Sequence, residues 1–138
     1  MLVPRWLRIA LFATAIVNLV AAVGFLPEVA AVRRLAHLPV DAPPIYLRTI
    51  AVFVLLFGTG YLWTAVTGLT DRLFVALAAA GKLSFVGVTA WCVRDGSLPP
   101  AALIAVSPDL GFGLAFTAWL WTTRAAPWPH FARVPGAR

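Results

Sequence analysis

Four long runs of hydrophobic residues dominate the chain, and short breaks rich in proline, glycine and arginine separate them. The runs cover residues 7–26, 46–67, 73–93 and 101–123. Each has about the 20 apolar residues that a helix needs to cross a hydrocarbon core of ~30 Å. The pattern predicts an all-α membrane protein in which residues 1–124 form one domain, a bundle of four transmembrane helices. We expect the first helix to stay in the protein rather than be cleaved as a signal peptide.

The longest polar break lies between the first two runs, from Pro27 to Pro44. Four apolar residues recur there at helical spacing: Val29, Val32, Leu35 and Leu38. The basic residues fall largely on other positions: Arg33, Arg34 and His37. This pattern predicts a short amphipathic segment lying in the headgroup region, with an ordinary surface loop as the alternative.

The two other connections are short and contain glycine. The link Gly68–Arg72 predicts that spans two and three form an antiparallel hairpin. Residues 125–138 are rich in proline and are predicted to be a flexible extension. Five tryptophans fall near proposed helix ends, as an aromatic belt at the membrane interfaces predicts. They are Trp6, Trp63, Trp91, Trp119 and Trp121.

Composition points to lipid as the solvent, because 62% of the 138 residues are hydrophobic and only 12% are charged. Soluble domains carry about a quarter charged residues. The formal charge of +6 comes from arginines near the ends of the apolar runs, which argues against nucleic-acid binding. Arginines are more numerous on the side of the two termini, and this favours cytoplasmic termini. The single cysteine excludes an intrachain disulfide.

The sharpest functional signal is a pair of opposite charges inside the spans. Lys82, the only lysine, lies ten residues beyond Arg72, a rise of about 15 Å or half the hydrocarbon core. Asp109 in span four and Asn18 in span one lie at a matching depth. A central Lys or Asp costs about 2.5–3.5 kcal/mol on insertion scales, so such residues turn inward and pair.

Two interpretations of this polar centre stay open. It can serve as a proton relay, ligand counter-ion or substrate clamp, or it can be a buried ion pair that sets helix register. Asn18 is predicted to donate to Asp109, and Pro108 is predicted to free the Ile104 carbonyl as a further polar group. The candidate ligand-binding residues are Asn18, Lys82, Asp109, Tyr61 and Arg48.

Motifs for other chemistries are missing from the sequence. The two histidines, His37 and His130, have no metal-binding spacing, and there is no GxSxG motif or P-loop. We therefore predict no metal and no cofactor. A catalytic role would fall to Asp109 and Lys82.

The stretch from Leu55 to Val86, LLFGTGYLWTAVTGLTDRLFVALAAAGKLSFV, has a glycine-rich second helix, a short turn and an arginine that opens the third helix. It resembles the DoxX-like group of small four-helix bacterial membrane proteins. The resemblance implies a place in the bacterial cytoplasmic membrane and association with quinone-linked or other redox complexes, often as an accessory subunit. It carries over no catalytic residue, and the pair of Lys82 and Asp109 matches no motif of that group.

Three functions follow as alternatives. The first is an accessory subunit of a membrane complex, such as a redox complex. The second is a protein that binds or transports a small molecule, lipid or proton at Lys82 and Asp109. The third is a membrane enzyme that acts on a lipid or terpenoid by acid–base chemistry. The predicted partners are the bilayer, a hydrophobic small molecule or quinone, and either a second copy of the chain or a membrane partner subunit.

Overall fold

In the computed structural model, residues 1–124 are described, and they form four long helices and one short helix. The helices are α1 (Arg5–Gly24), α2 (Ala30–Leu35), α3 (Pro44–Thr67), α4 (Arg72–Arg94) and α5 (Ala101–Thr122). The four long helices are long and apolar enough to cross a membrane. The chain is therefore an integral membrane protein with the predicted all-α, four-helix architecture. The predicted flexible extension lies outside the described residues.

Local sequence explains where the long helices begin and end. Pro27 follows the end of α1, and Pro44 occupies the first turn of α3, where a missing backbone N–H is tolerated. Gly68 ends α3 with a positive φ of 69°, a conformation that favours glycine. Asp71 begins α4, because its side chain accepts a hydrogen bond from the Leu73 N–H at 2.6 Å.

The long helices form two close pairs, α1 with α3 and α4 with α5. A short link joins α3 to α4, where a hairpin was predicted, but the backbones of these two helices hardly approach each other. These two helices meet instead through the rings of Phe57, Tyr61 and Phe74, whose centroids are 5.7–6.5 Å apart. The bulky rings keep the backbones apart, and this separation leaves space between α3 and α4.

One end of the bundle, here called the closed end, contains the start of α1 and the end of α5. Backbone hydrogen bonds join Val3 to Gly68 and Met1 to Thr70 there. The contiguous apolar core lies in this half of the bundle: Val3, Leu7, Leu11, Ala15, Tyr61, Ala65, Val75, Ala78, Ala79, Phe116 and Trp119. The opposite end, here called the open end, contains α2 and the α4–α5 turn.

Four of the five tryptophans assigned to the aromatic belt are exposed, as a belt requires: Trp6, Trp63, Trp91 and Trp121. The prediction is wrong for Trp119, which is only 2% exposed and packs in the core of the closed end. Periodicity near a helix end does not show which ring faces inward.

At the closed end, each close pair of helices is joined by hydrogen bonds from one arginine. Arg8 on α1 donates to the carbonyls of Ala65 and Val66 on α3, at 2.9 and 3.1 Å. Arg72 on α4 donates to Thr123 and to the Leu120 carbonyl at the end of α5. Both arginines satisfy carbonyls that the last turn of a helix leaves free.

Replacing Arg72 with glutamine is expected to lower the free energy of unfolding by about 1–2 kcal/mol, because charged hydrogen bonds to the end of α5 are lost. Unfolding by sodium dodecyl sulfate in mixed micelles measures this change. Arg94→Gln is the matched control, since Arg94 is exposed at the other end of α4. Equal effects of the two variants would contradict the role of Arg72 as a tie.

The short helix predicted in this segment is present as α2, but the pattern did not indicate that Arg33 is buried. Arg33 is 2% exposed, whereas Leu35 from the predicted apolar face is 84% exposed. The guanidinium turns inward because carbonyls at the end of α1 accept its hydrogen bonds.

Candidate functional site

Three polar side chains from three helices meet near the middle of the bundle. Lys82 Nζ on α4 donates to Asn18 Oδ1 on α1 at 2.6 Å, and also to Asp109 Oδ1 on α5. Lys82 and Asn18 are 9% and 6% exposed. The three residues are called the polar centre below. They lie next to the apolar core, on the side towards the open end. The core ends at the level of Ala15 and Ala79.

Two glycines allow the helices to approach closely at this level. A Cβ atom at Gly58 on α3 would lie 3.1 Å from Asn18 Cβ on α1. A Cβ atom at Gly113 on α5 would lie 2.8 Å from Leu83 Cδ2 and 3.4 Å from Lys82 Cβ on α4. Small residues at such crossings are typical of packed membrane helices. Both close helix pairs thus carry a glycine beside a member of the polar centre.

Asn18 was predicted to donate to Asp109, and its amide has a different partner. Asn18 Nδ2 donates to the Val54 carbonyl on α3 at 3.2 Å, while Oδ1 accepts from Lys82. The ammonium group of Lys82 lies between the amide oxygen and the carboxylate, so it supplies the donor to both. Asn18 therefore links α3 to the polar centre rather than binding Asp109 directly.

The carbonyl freed by Pro108 does not join the polar centre. Ile104 lies four residues before Pro108 and is 76% exposed. Its carbonyl accepts a hydrogen bond from Ser107 Oγ at 2.8 Å. A local hydroxyl thus satisfies the group that the proline leaves without an N–H.

A cavity of about 220 Å³ lies beside the polar centre, in the half of the bundle towards the open end. Residues from all four long helices line it, and most of its wall is apolar. Its aromatic wall consists of Phe25, Phe53, Phe57 and Phe85. Its polar residues are Asn18, Tyr61, Lys82 and Asp109. The charged pair therefore lies in the wall of an otherwise apolar cavity.

The cavity opens sideways between α3 and α4. Four of its large apolar lining residues are exposed on the outer surface of the bundle: Val17 is 38%, Ile50 41%, Phe53 59% and Phe85 37% exposed. Gly81 also lines the opening, and a Cβ atom there would meet nothing within 4 Å. Because these residues belong to membrane-spanning helices, the opening faces the bilayer rather than water.

Two residues in the cavity wall have hydrogen-bond donors that are not fully used. The ammonium group of Lys82 has three N–H groups, and two are used by Asn18 and Asp109. Tyr61 also lines the cavity, and its hydroxyl makes no hydrogen bond to another of residues 1–124. Lys82 and Asp109 cancel in charge, so the polar centre is formally neutral. It can accommodate an uncharged group that accepts hydrogen bonds.

Arg48 is the one predicted site residue that neither belongs to the polar centre nor lines the cavity beside it. Its Nη2 donates to Glu28 Oε1 at 2.9 Å, and both side chains are more than 60% exposed. The pKa of the Glu28 carboxyl is lowered by its own backbone N–H and then by Arg48. A pair this exposed contributes little to stability.

Sequence reasoning missed Arg33, which lines a second cavity. Arg33 and Arg34 are neighbours of the same type, and only one of them is buried. The turn between α1 and α2 decides which one faces inward. The six residues of α2 contain no sequence pattern that distinguishes Arg33 from Arg34.

Among residues 1–124, no three histidine, cysteine, aspartate or glutamate side chains form a group that could hold a metal ion. Comparisons with protein-family models, curated proteins and solved structures give no match for this chain. The DoxX-like resemblance therefore stays a prediction.

Proposed function

We propose that the protein binds an uncharged, lipid-soluble molecule in the cavity between α3 and α4. An oxygen of that molecule accepts hydrogen bonds from Lys82 and Tyr61. The observation that carries the proposal is an apolar cavity that opens towards the bilayer and has the polar centre in its wall. Ligand sites commonly combine apolar walls with a few convergent polar groups.

Charge favours an uncharged ligand. Lys82 and Asp109 already neutralise each other, so an added anion at this depth would bury an unpaired charge, which is expensive in a membrane. A carbonyl or hydroxyl oxygen gains the free N–H of Lys82 without that cost. The aromatic wall of the cavity suits a flat ring.

Size limits how much of the ligand enters the cavity. About 220 Å³ is below the ~300–1,000 Å³ of typical sites for drug-sized ligands. It exceeds the ~150 Å³ of an engineered apolar cavity that binds benzene. A single substituted ring fits inside, and a longer tail would pass through the opening into lipid. A quinone has this shape, with carbonyl oxygens on a ring and a hydrocarbon tail.

Gly81→Leu tests the proposal by filling the opening. A Cβ atom at this position meets nothing within 4 Å, so we expect the fold to be kept while the leucine side chain occupies ligand space. We expect the affinity for a decyl-substituted benzoquinone, measured by quenching of tryptophan fluorescence in nanodiscs, to fall by about tenfold or more. Gly87→Leu is the matched control, because Gly87 is on the same helix, is open and does not line the cavity.

Equal affinities of Gly81→Leu and the wild type for the quinone probe would contradict this binding site. So would a comparable loss in Gly87→Leu, since that would show a general effect on α4 rather than occupancy of the cavity. Circular dichroism of each variant checks that the helices are retained.

The remaining roles stay predictions with their own tests. An accessory role in a redox complex, in the bacterial cytoplasmic membrane with both termini inside, rests on the DoxX-like resemblance and the arginine distribution. Co-purification of a partner protein, or of a second copy, in mild detergent tests it. Acid–base catalysis on a lipid or terpenoid requires that Asp109→Asn abolish product formation while the protein stays folded.

A further inference from the structure

Arg33 is a buried cation that the polar centre does not use. It is 2% exposed, and its Nη1 donates to the carbonyls of Gly24 and Leu26, both at 2.7 Å. A third, longer bond of 3.4 Å reaches the Val29 carbonyl. These contacts hold one corner of the guanidinium against the end of α1. They fix the direction in which the rest of the group points.

The other edge of the guanidinium is unpartnered. Nε is buried and has no hydrogen-bond partner, and within residues 1–124 Nη2 donates to no recorded acceptor. Nε and Nη2 form the edge that binds carboxylates and phosphates through two parallel hydrogen bonds. The two ion pairs of residues 1–124 are Glu28 with Arg48 and Asp109 with Lys82, so no carboxylate of this region neutralises Arg33.

A buried cation without a counter-charge is costly. Taking an ion out of water costs several kcal/mol unless a partner or ligand compensates. The carbonyls at the end of α1 compensate only part of this cost, since they carry partial charges. The buried residues of the open end thus have a net positive charge, which an external anion would balance.

A second cavity, of about 120 Å³, provides space for that anion. Arg33, Ala36 and Leu38 form its wall on the side of α2, and Ala105 and Val106 form its wall on α5. Ala105 is exposed, so the cavity is open to the surroundings of the bundle. The cavity also reaches Asp109, whose charge is already neutralised by Lys82. Repulsion of an anion from that side is therefore reduced.

We propose that Arg33 binds a phosphate group in the second cavity, carried by a membrane lipid or free in solution. The segment with α2 connects the ends of two membrane-spanning helices, so it lies at the level where lipid phosphates are abundant. Nε has almost no accessible surface, so the Arg33 side chain must shift slightly for phosphate oxygens to reach its Nε and Nη2 edge, while Nη1 stays on α1. The two cavities are neighbours that share lining residues, Asp109 among them, but the phosphate site rests on Arg33 and not on Lys82.

The experiment compares phosphatidic acid with diacylglycerol, which has the same acyl chains without the phosphate. Binding of each lipid to the delipidated full chain is titrated by native mass spectrometry in neutral detergent. We expect phosphatidic acid to bind at least about tenfold more tightly than diacylglycerol. Inorganic phosphate is tested separately by its effect on the thermal unfolding temperature.

Arg33→Lys is the informative variant. A lysine keeps the positive charge and can donate to the carbonyls of α1, but it lacks the two-pronged edge. We expect it to bind phosphatidic acid about tenfold more weakly than the wild type. Arg34→Lys is the matched control, since Arg34 is the exposed neighbour on the same helix, and it should bind like the wild type.

A second variant covers the case in which Arg33→Lys does not fold. Ala105→Phe narrows the second cavity from α5 and leaves the hydrogen bonds between Arg33 and α1 intact. It should weaken binding of phosphatidic acid to a similar extent.

The outcomes distinguish a free phosphate ligand from a lipid phosphate, and both from the absence of a phosphate site. A wild-type response to inorganic phosphate that is lost in Arg33→Lys supports a free phosphate ligand, and a response to phosphatidic acid alone supports a lipid. Equal binding of phosphatidic acid and diacylglycerol without a response to inorganic phosphate would overturn the proposal. Unchanged binding in folded Arg33→Lys, or in Ala105→Phe, would also overturn it. Equal losses of affinity for phosphatidic acid in Arg33→Lys and Arg34→Lys would also overturn the proposal. They would indicate that the lipid is attracted by the general positive charge of the surface rather than bound at Arg33.

Discussion

Replacing Lys82 with methionine is expected to lower the free energy of unfolding by about 4 kcal/mol, and Asp109→Asn should have an effect of similar size. Each single change leaves the partner charge buried, since the two side chains are only 10% and 14% exposed. Removing both charges together should recover most of the loss, because no unpaired charge remains. The expected coupling between the two sites is therefore large.

Unfolding by sodium dodecyl sulfate in mixed micelles measures this double-mutant cycle for the wild type, both single variants and the double variant. Arg94→Met is the control for loss of a cation on α4, because Arg94 is exposed and should tolerate the change. If the single variants are as stable as the wild type, the pair does not stabilise the bundle. The charges would then be retained for function at a cost in stability.

The double variant also separates the two interpretations of the polar centre. Lys82→Met with Asp109→Asn should be folded, yet it lacks the ammonium group of a residue that lines the cavity. We expect it to bind the decyl-substituted benzoquinone about tenfold more weakly than the wild type. Wild-type affinity in a folded double variant would show that the pair only sets helix register.

Replacing Gly58 with leucine is expected to destabilise the protein by about 3 kcal/mol. A Cβ atom at this position would already lie 3.1 Å from Asn18 Cβ, and the Leu19 backbone nitrogen is 3.6 Å away. A larger side chain must push α1 away from α3. The displacement would also break the hydrogen bond from Asn18 to the Val54 carbonyl, and with it one support of the polar centre.

The same micelle unfolding experiment measures the effect of Gly58→Leu. Gly87→Leu has the same change of size on a helix surface that is open, so its effect should be within about 0.5 kcal/mol of the wild type. A Gly58→Leu variant as stable as Gly87→Leu would mean that close approach of α1 and α3 is not required for folding.

The membrane-spanning helices could be predicted from sequence alone. Runs of about 20 apolar residues have one stable arrangement in a bilayer, because backbone groups must be satisfied within the helix. The predicted runs therefore agree with α1, α3, α4 and α5 to within a few residues at each end. Pro27 and Gly68 mark ends that depend on the geometry of a single residue, which sequence shows directly.

The polar centre could be predicted in part. Counting from helix ends placed Asn18, Lys82 and Asp109 at one depth, and the cost of an isolated charge predicted that they would pair. The partner of the Asn18 amide was not predictable, because it depends on which helix packs against α1. Arg48 lies near the end of a span and binds a loop carboxylate instead of the centre.

The number and limits of the spans and the depth of the polar residues follow from distance along one helix, so the order of the residues is enough to predict them. Which helices pair closely, where the cavities lie and which side chains face inward depend on how the helices pack against each other. Trp119 and Arg33 are buried although each has an exposed neighbour of similar type. The rotation of a helix about its axis is set by its contacts with other helices, and in lipid an apolar residue suits either face.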